Sequence, residues 1–155
     1  TGIGGCNIFK GVILQNEFHP EIGHMYLRNS DAKFCEYHSH CFESQSSGHY
    51  FSSRYKVEFN DIGTGSPEWE EIIGKLAILL YNLYAATGVE YIVLSGGLIR
   101  EDMKHQLITY IEKINNSYLP IVNKKNFDQR LILDANADDL SLEGGMYSLN
   151  GKDLK

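Results

Sequence analysis

The sequence predicts a mixed α/β domain with a loop pinned by a metal ion. Three features predict it. Short apolar runs are cut by glycine turns, at Lys10-Gly11 and again at Gly96-Gly97, as short strands are. Two longer stretches repeat apolar residues at helical spacing and alternate with the later strands, the order of an α/β chain. Finally, Cys35, His38 and Cys41 stand at the spacing C-x2-H-x2-C, with His24 upstream at the end of the hexapeptide HPEIGH (His19 to His24).

Taken in order, Ile3 to Phe9 and Val12 to Leu14 read as a hairpin closed at Lys10-Gly11. A third strand is expected from His24 to Arg28, past the loop that holds Glu21. The polar, irregular stretch Asn29 to Cys41 is the pinned loop, and a helix is expected from Phe42 to about Tyr55. Asp61 to Ser66, with Gly63 and Gly65, reads as a linker within the domain.

The long helix that follows has the plainest signals. Ser66 caps it, Pro67 suits its first position, and Glu68, Glu70 and Glu71 lie near the positive end of the helix dipole. Trp69, Ile72, Ile73, Leu76, Leu79, Leu80 and Leu83 form one apolar stripe, assigned to the core, and Gly88 ends the run. Tyr91 to Ser95 is expected as a short buried strand entering Gly96-Gly97. A second amphipathic helix carries Met103, Leu107, Tyr110, Ile111 and Ile114. Lys124-Lys125 falls in a loop, Leu131 to Leu133 is a further strand, and Asp139 to Leu149 a closing helix.

Composition narrows the function. A chain of 155 residues, 43% hydrophobic, buries one core, and a charged fraction of 22% is ordinary for a globular domain. A net charge of −6 with scattered Lys and Arg argues against a nucleic-acid or anionic-membrane surface. The longest apolar stretch, around Leu76 to Tyr81, is too short to span a bilayer. The chain opens on Thr1-Gly2-Ile3-Gly4-Gly5 without an initiator Met, and reads as a cut at an internal junction.

Two thiolates and two imidazoles complete a tetrahedral set for Zn²⁺, and closed sites of that composition are structural. His24, Cys35, His38 and Cys41 are therefore the candidate ligands, with His40 and His19 as spare imidazoles for the fourth position. A Cys35–Cys41 disulfide is the rival reading. It would strand Cys6 in a chain of 3 cysteines, so a reducing, cytoplasmic compartment fits better. Glu21 and Glu43 flank the cluster without being needed to close it, which points to a second ligand beside the metal. The glycine turns Gly2-Ile3-Gly4-Gly5 and Gly96-Gly97 are places where backbone can approach a phosphate.

These segments together resemble the C-terminal half of ROK-type sugar kinases. TGIGG, HPEIGH, CEYHSHCFESQSSG and IVLSGG are similar to the family's motifs, and within it most of all to those of bacterial fructokinases; the likeness runs from Thr1 to about Leu149. The fold implied is the second domain of the actin-like, ribonuclease-H-like ATPase architecture. The resemblance implies that Glu21, His24 and Glu43 hold sugar hydroxyls, with His24 also a zinc ligand. It implies further that Thr1 and Gly2 meet ATP phosphates and that Gly96-Gly97 lies along the nucleoside. The implied activity is ATP-dependent phosphorylation of a hexose, fructose favoured, with Mg²⁺ accompanying ATP, in a homodimer. No catalytic residue is expected in this chain: the family's base aspartate and DxGGT loop belong to the N-terminal half, and nothing here resembles them, so the isolated piece should not turn over.

Departures from the pattern gather on the nucleotide side. Cys6 and Ser95 stand where the family has glycines, Ala137 to Ser141 replaces GD-[ND]-AG, and His49-Tyr50 follows Ser47-Gly48 where a Pro-Ala pair is common. The alternatives are the sugar-sensing domain of a ROK-type transcriptional repressor, and a diverged inactive kinase. The repressors tend towards C-x-C-x4-C, whereas this chain has C-x2-H-x2-C. A zinc-stabilised interaction module would leave Glu21 and Glu43 without a purpose.

Overall fold

The computed structural model describes residues 2–14, 20–27, 35, 37 and 39–134. The opening hairpin is present but shorter than expected. Strands β1 (Ile8–Phe9) and β2 (Val12–Ile13) pair antiparallel, and the Leu14 amide donates to the Asn7 carbonyl at 2.8 Å. Lys10 and Gly11 both take positive φ, 51° and 78°, the backbone that a two-residue hairpin turn demands.

Of the third strand expected over His24 to Arg28, the described residues 24–27 form none. A 3₁₀ turn occupies Ile22–His24, closed by the His24 and Met25 amides donating to the Glu21 and Ile22 carbonyls. Beyond it, Tyr26 makes an isolated antiparallel bridge to Cys41, flanked by Leu27 N to His40 O and Phe42 N to Met25 O. The chain curls at this point because Gly23 packs directly on the opening segment. A Cβ built on it would lie 2.3 Å from the Ile3 carbonyl oxygen, so only glycine fits.

The single helix expected over Phe42 to Tyr55 is two: α1 (Glu43–Ser46) and α2 (Gly48–Tyr55). Ser47 separates them in an extended conformation, φ −85° and ψ 162°, and its hydroxyl accepts from the Tyr50 amide. A residue that caps the second helix cannot also continue the first.

Helix α3 (Pro67–Thr87) matches its expectation closely. The Ser66 hydroxyl accepts from the Trp69 amide, Pro67 begins the helix and Gly88 closes it in the left-handed conformation. Trp69, Ile72, Ile73, Leu79 and Leu80 are buried, and Leu76 and Leu83 are half-buried. The stripe packs on α4 (Met103–Ser117), whose Met103, Leu107, Ile108 and Ile111 complete the core. Each such side chain fully removed from water contributes roughly 1.5–3 kcal/mol. The loop expected to link the domain internally is itself tied down. The Arg100 guanidinium lies 4.2 Å from the centre of the Trp69 ring and donates to the Ile62 carbonyl, the Thr64 hydroxyl and the Asp102 carboxylate.

Lys124 and Lys125, assigned to a loop, begin helix α5 (Lys124–Arg130), which Asn123 caps. Strand β4 (Leu131–Asp134) follows without a break and pairs in parallel with β3 (Ile92–Ser95), Ile92 opposite Leu131. The strand expected as buried is buried on one face only. Ile92 and Leu94 pack toward the core, while Val93 is 58% exposed and Tyr91 precedes the strand. Among the described residues the strands thus form two separate two-stranded sheets. The expected closing helix, Asp139 to Leu149, lies outside them.

A charged cluster joins α2 to α3. The Glu71 carboxylate accepts from the Tyr50 hydroxyl at 2.6 Å, from the Tyr55 hydroxyl and from the Lys75 ammonium. Lys75 also donates to the Gln45 carbonyl of α1 at 3.0 Å. Burial by itself would raise the Glu71 carboxyl, but these donors overcome it and hold the group down to about 2. Because the folded value is depressed, the stability it contributes is present above the unfolded carboxyl value of 4.5 and is lost as pH falls from there towards 2. Glu71→Gln is expected to cost about 1–3 kcal/mol in denaturant unfolding at neutral pH and to flatten the acid limb over that window. An unchanged acid limb would mean that Glu71 carries no net charge–charge stabilisation.

Candidate metal and ligand site

Three side chains from distant parts of the sequence converge below the Tyr26–Cys41 bridge. A ring nitrogen of His24, Cys35 Sγ and Cys41 Sγ all lie within 4.8 Å of one another, and His24 Nδ1 is 3.7 Å from the Cys35 sulfur. Zinc bonded to sulfur and nitrogen at its usual lengths holds the two roughly 3.6 Å apart, so the donor set fits a tetrahedral ion. Both thiols are buried and neither is in a disulfide. His38 and His19 lie outside the described residues. His40, the other spare imidazole, packs beside Tyr26 and stands apart from the described cluster.

Local structure prepares Cys41 as a ligand. Its side chain is fully buried, and the Ser44 amide donates to its sulfur at 3.3 Å. The Ser44 hydroxyl accepts from the Cys41 amide at 3.2 Å and sits 2.8 Å from the Cys41 carbonyl, so one serine fixes the residue from both sides. Burial, partly offset by Ser44 and reinforced by the neighbouring Cys35, raises the Cys41 thiol above its ordinary value. A bound cation reverses that balance by favouring thiolate. Sequence reading did not single out Ser44. Its position three residues after a ligating Cys, at the start of a helix, was the available signal.

The other face of the imidazole meets the carboxylates. His24 Nε2 lies 3.8 Å from Glu21 Oε2 and 4.0 Å from Glu43 Oε1. The His24 and Glu43 side chains are about four-fifths buried, while Glu21 is 57% exposed at the rim. The three residues expected at a ligand site are therefore brought together, and the shared imidazole has one nitrogen toward sulfur and one toward carboxylate. The second carboxylate oxygen of Glu43 accepts from the Ile3 amide at 2.9 Å, which places the opening glycine segment on the same cluster. Sequence reading missed this bond.

Of the residues expected at a nucleotide, Thr1 lies outside the described residues and Gly2 stands directly against Glu43. Gly96 and Gly97 follow β3 in a turn closed by the Ile99 amide donating to the Gly96 carbonyl. Gly96 has φ +123°, where L side chains are strained, and the space around both glycines is open.

With this arrangement in view, comparison with known proteins identifies the class. The ROK family model matches residues 1–150, and the chain belongs to the ROK family. Two relatives carry fructokinase names at more than 30% identity: the "Putative fructokinase" of Bacillus subtilis (strain 168), 34% identical over 124 residues, and the "Fructokinase" of Pediococcus pentosaceus, 31% identical over 123. Each alignment takes in 77% of this chain and 42% of the relative. The "Fructokinase" of Lactococcus lactis subsp. cremoris is 28% identical over 123 residues, 75% of this chain and 42% of its own. The chain thus spans less than half the length of these relatives. No helix among the described residues is long and apolar enough to cross a membrane.

Zinc content and thiol accessibility test the metal assignment. Cys35→Ser or Cys41→Ser is expected to weaken zinc binding by more than about 100-fold, beyond the 10–100-fold typical of outer-sphere partners. Cys6→Ser should leave it unchanged, since Cys6 is exposed and outside the cluster. Rapid alkylation of Cys35 and Cys41 in zinc-loaded protein would contradict the assignment.

Proposed function

We propose that this chain is the sugar- and zinc-binding half of a hexose kinase that phosphorylates fructose with ATP and Mg²⁺, in a cytoplasmic homodimer. The observation that carries the reading is the placing of His24, with Nδ1 toward Cys35 and Nε2 toward Glu21 and Glu43. Family membership and the fructokinase names of its relatives support the same reading.

The chemistry follows from the donor set. A sugar offers paired hydroxyls that donate to carboxylates and accept from an N–H. With Nδ1 committed to a metal, the His24 proton would reside on Nε2, the nitrogen nearest Glu21 and Glu43. Glu43 is held by the Ile3 amide and is pre-positioned, whereas Glu21 stands exposed at the rim. Zinc would be held by His24, Cys35, Cys41 and His38, and would supply a structural anchor for the imidazole. ATP phosphates are read by Thr1 and Gly2, and the nucleoside lies along Gly96-Gly97. The aspartate that removes the hydroxyl proton belongs to the other half of the family's fold, so this chain binds and orients but does not itself take the proton.

The test is ATP-dependent phosphorylation by the intact protein across fructose, glucose, mannose and N-acetylmannosamine. Turnover on fructose is expected, with kcat/KM lowered about 10–100-fold by Glu21→Ala or Glu43→Ala, the cost of one hydrogen bond to a charged group. Sugar binding without turnover on any hexose would overturn the kinase reading in favour of a sensor.

A further inference from the structure

The opening segment, residues 2–7, belongs to no helix or strand, and Gly2, Gly4 and Gly5 are exposed. Its contacts nevertheless fall on the residues beside the metal site. The Ile3 amide donates to Glu43 Oε2 at 2.9 Å. A Cβ on Gly2 would lie 2.2 Å from that same oxygen, so the carboxylate occupies the space a side chain would fill. From the other side, Gly23 of the 3₁₀ turn presses on the Ile3 carbonyl, and a Cβ there would meet the carbonyl oxygen at 2.3 Å. A Cβ on Gly5 would likewise run into the Ile22 side chain.

These contacts form one continuous path. Cys35 Sγ faces His24 Nδ1, His24 Nε2 faces Glu43 Oε1, and Glu43 Oε2 holds the Ile3 amide. The links run from 2.9 Å at the Ile3 amide to 4.0 Å between His24 and Glu43, and both ends of the imidazole and of the carboxylate are used. Gly23 precedes His24 in the chain, so the same 3₁₀ turn carries the metal-facing ring and the backbone surface on which Ile3 rests.

We propose that Glu43 and Gly23 are positioning residues through which metal occupancy sets the geometry of the Gly2–Gly5 turn. Metal and a phosphate-bearing ligand at that turn then bind with positive coupling. The ligand half rests on the reading of the turn as a phosphate site given above; the mechanical half rests on the contacts alone. The role is additional to contact with sugar: the carboxylate works through backbone, on the far side from the imidazole. When the metal leaves, His24 loses the anchor at Nδ1, its contact with Glu43 loosens, and the turn is released. Coupling between two sites requires such an element with differential contacts in the two states.

Amide exchange of the Gly2–Gly5 segment in the intact protein tests this, zinc-loaded against zinc-stripped, with bound zinc quantified on each sample. Zinc is expected to slow exchange about 10-fold or more, and to tighten binding of ADP with Mg²⁺ by a similar factor. Glu43→Ala should abolish the zinc dependence of exchange while zinc remains bound, and Glu43→Gln, which keeps an acceptor for the Ile3 amide but turns an amino group towards the His24 Nε2 proton, should keep exchange slow in both states and so also lose the zinc dependence. Gly23→Ala should give fast exchange in the zinc-loaded state. If zinc is bound and the segment exchanges at the same rate with and without it, the coupling is overturned and the metal site stands. Zinc-dependent exchange with unchanged ADP affinity overturns the phosphate half alone. If the intact protein binds no zinc, the site reading and the coupling fall together.

Discussion

Everything in the site hangs on how α1 is fixed to the long helix α3. The short helix is only four residues long and has no stability of its own, since a single turn cannot offset the cost of nucleation. What holds it is Lys75, whose ammonium donates to the Gln45 carbonyl while Glu71 gathers Lys75, Tyr50 and Tyr55 onto one carboxylate. Burial draws the Lys75 ammonium below its ordinary value and Glu71 pulls it back, so the pair is costly to bury alone and stable only together. With α1 anchored, Glu43 at its first position and Cys41 just before it have fixed directions. The core helix thereby positions both a metal ligand and a ligand-facing carboxylate.

From that anchor the site divides labour among a few atoms. Cys41 is buried and held by Ser44, Cys35 completes the sulfur pair, and His24 turns one nitrogen each way. Buried thiols side by side are unfavourable as free thiolates, which is why the donor set makes chemical sense around a cation. The carboxylates Glu21 and Glu43 stand on the opposite side of the imidazole, near its Nε2.

Much of this was legible in the sequence. The cap at Ser66, the proline after it and the spaced apolar residues from Trp69 to Leu83 predicted α3, because capping and periodicity are local signals. The C-x2-H-x2-C spacing and HPEIGH marked Cys35, Cys41 and His24, which the fold brings together, and Glu21 and Glu43 beside them. What was not legible depended on tertiary contacts. The break at Ser47 trades helix continuity for a cap, and no periodicity announces it. The turn at Ile22–His24 replaces a strand because Gly23 must meet the Ile3 carbonyl. Helix α5 begins at two lysines that read as loop, although Asn123 ahead of them is a cap signal and Phe127 is a buried anchor. The exposed face of β3 was hidden because a run of Ile, Val and Leu looks the same whether one face is covered or both.

The central claim is that a metal held by sulfur and imidazole aims His24 at the carboxylates. X-ray absorption at the zinc edge, on the intact protein purified without chelators, tests it most directly. The account predicts a mixed first shell, two sulfurs at about 2.3 Å and two imidazole nitrogens at about 2.0 Å. A shell of oxygens and nitrogens without sulfur, or protein free of zinc, would contradict it.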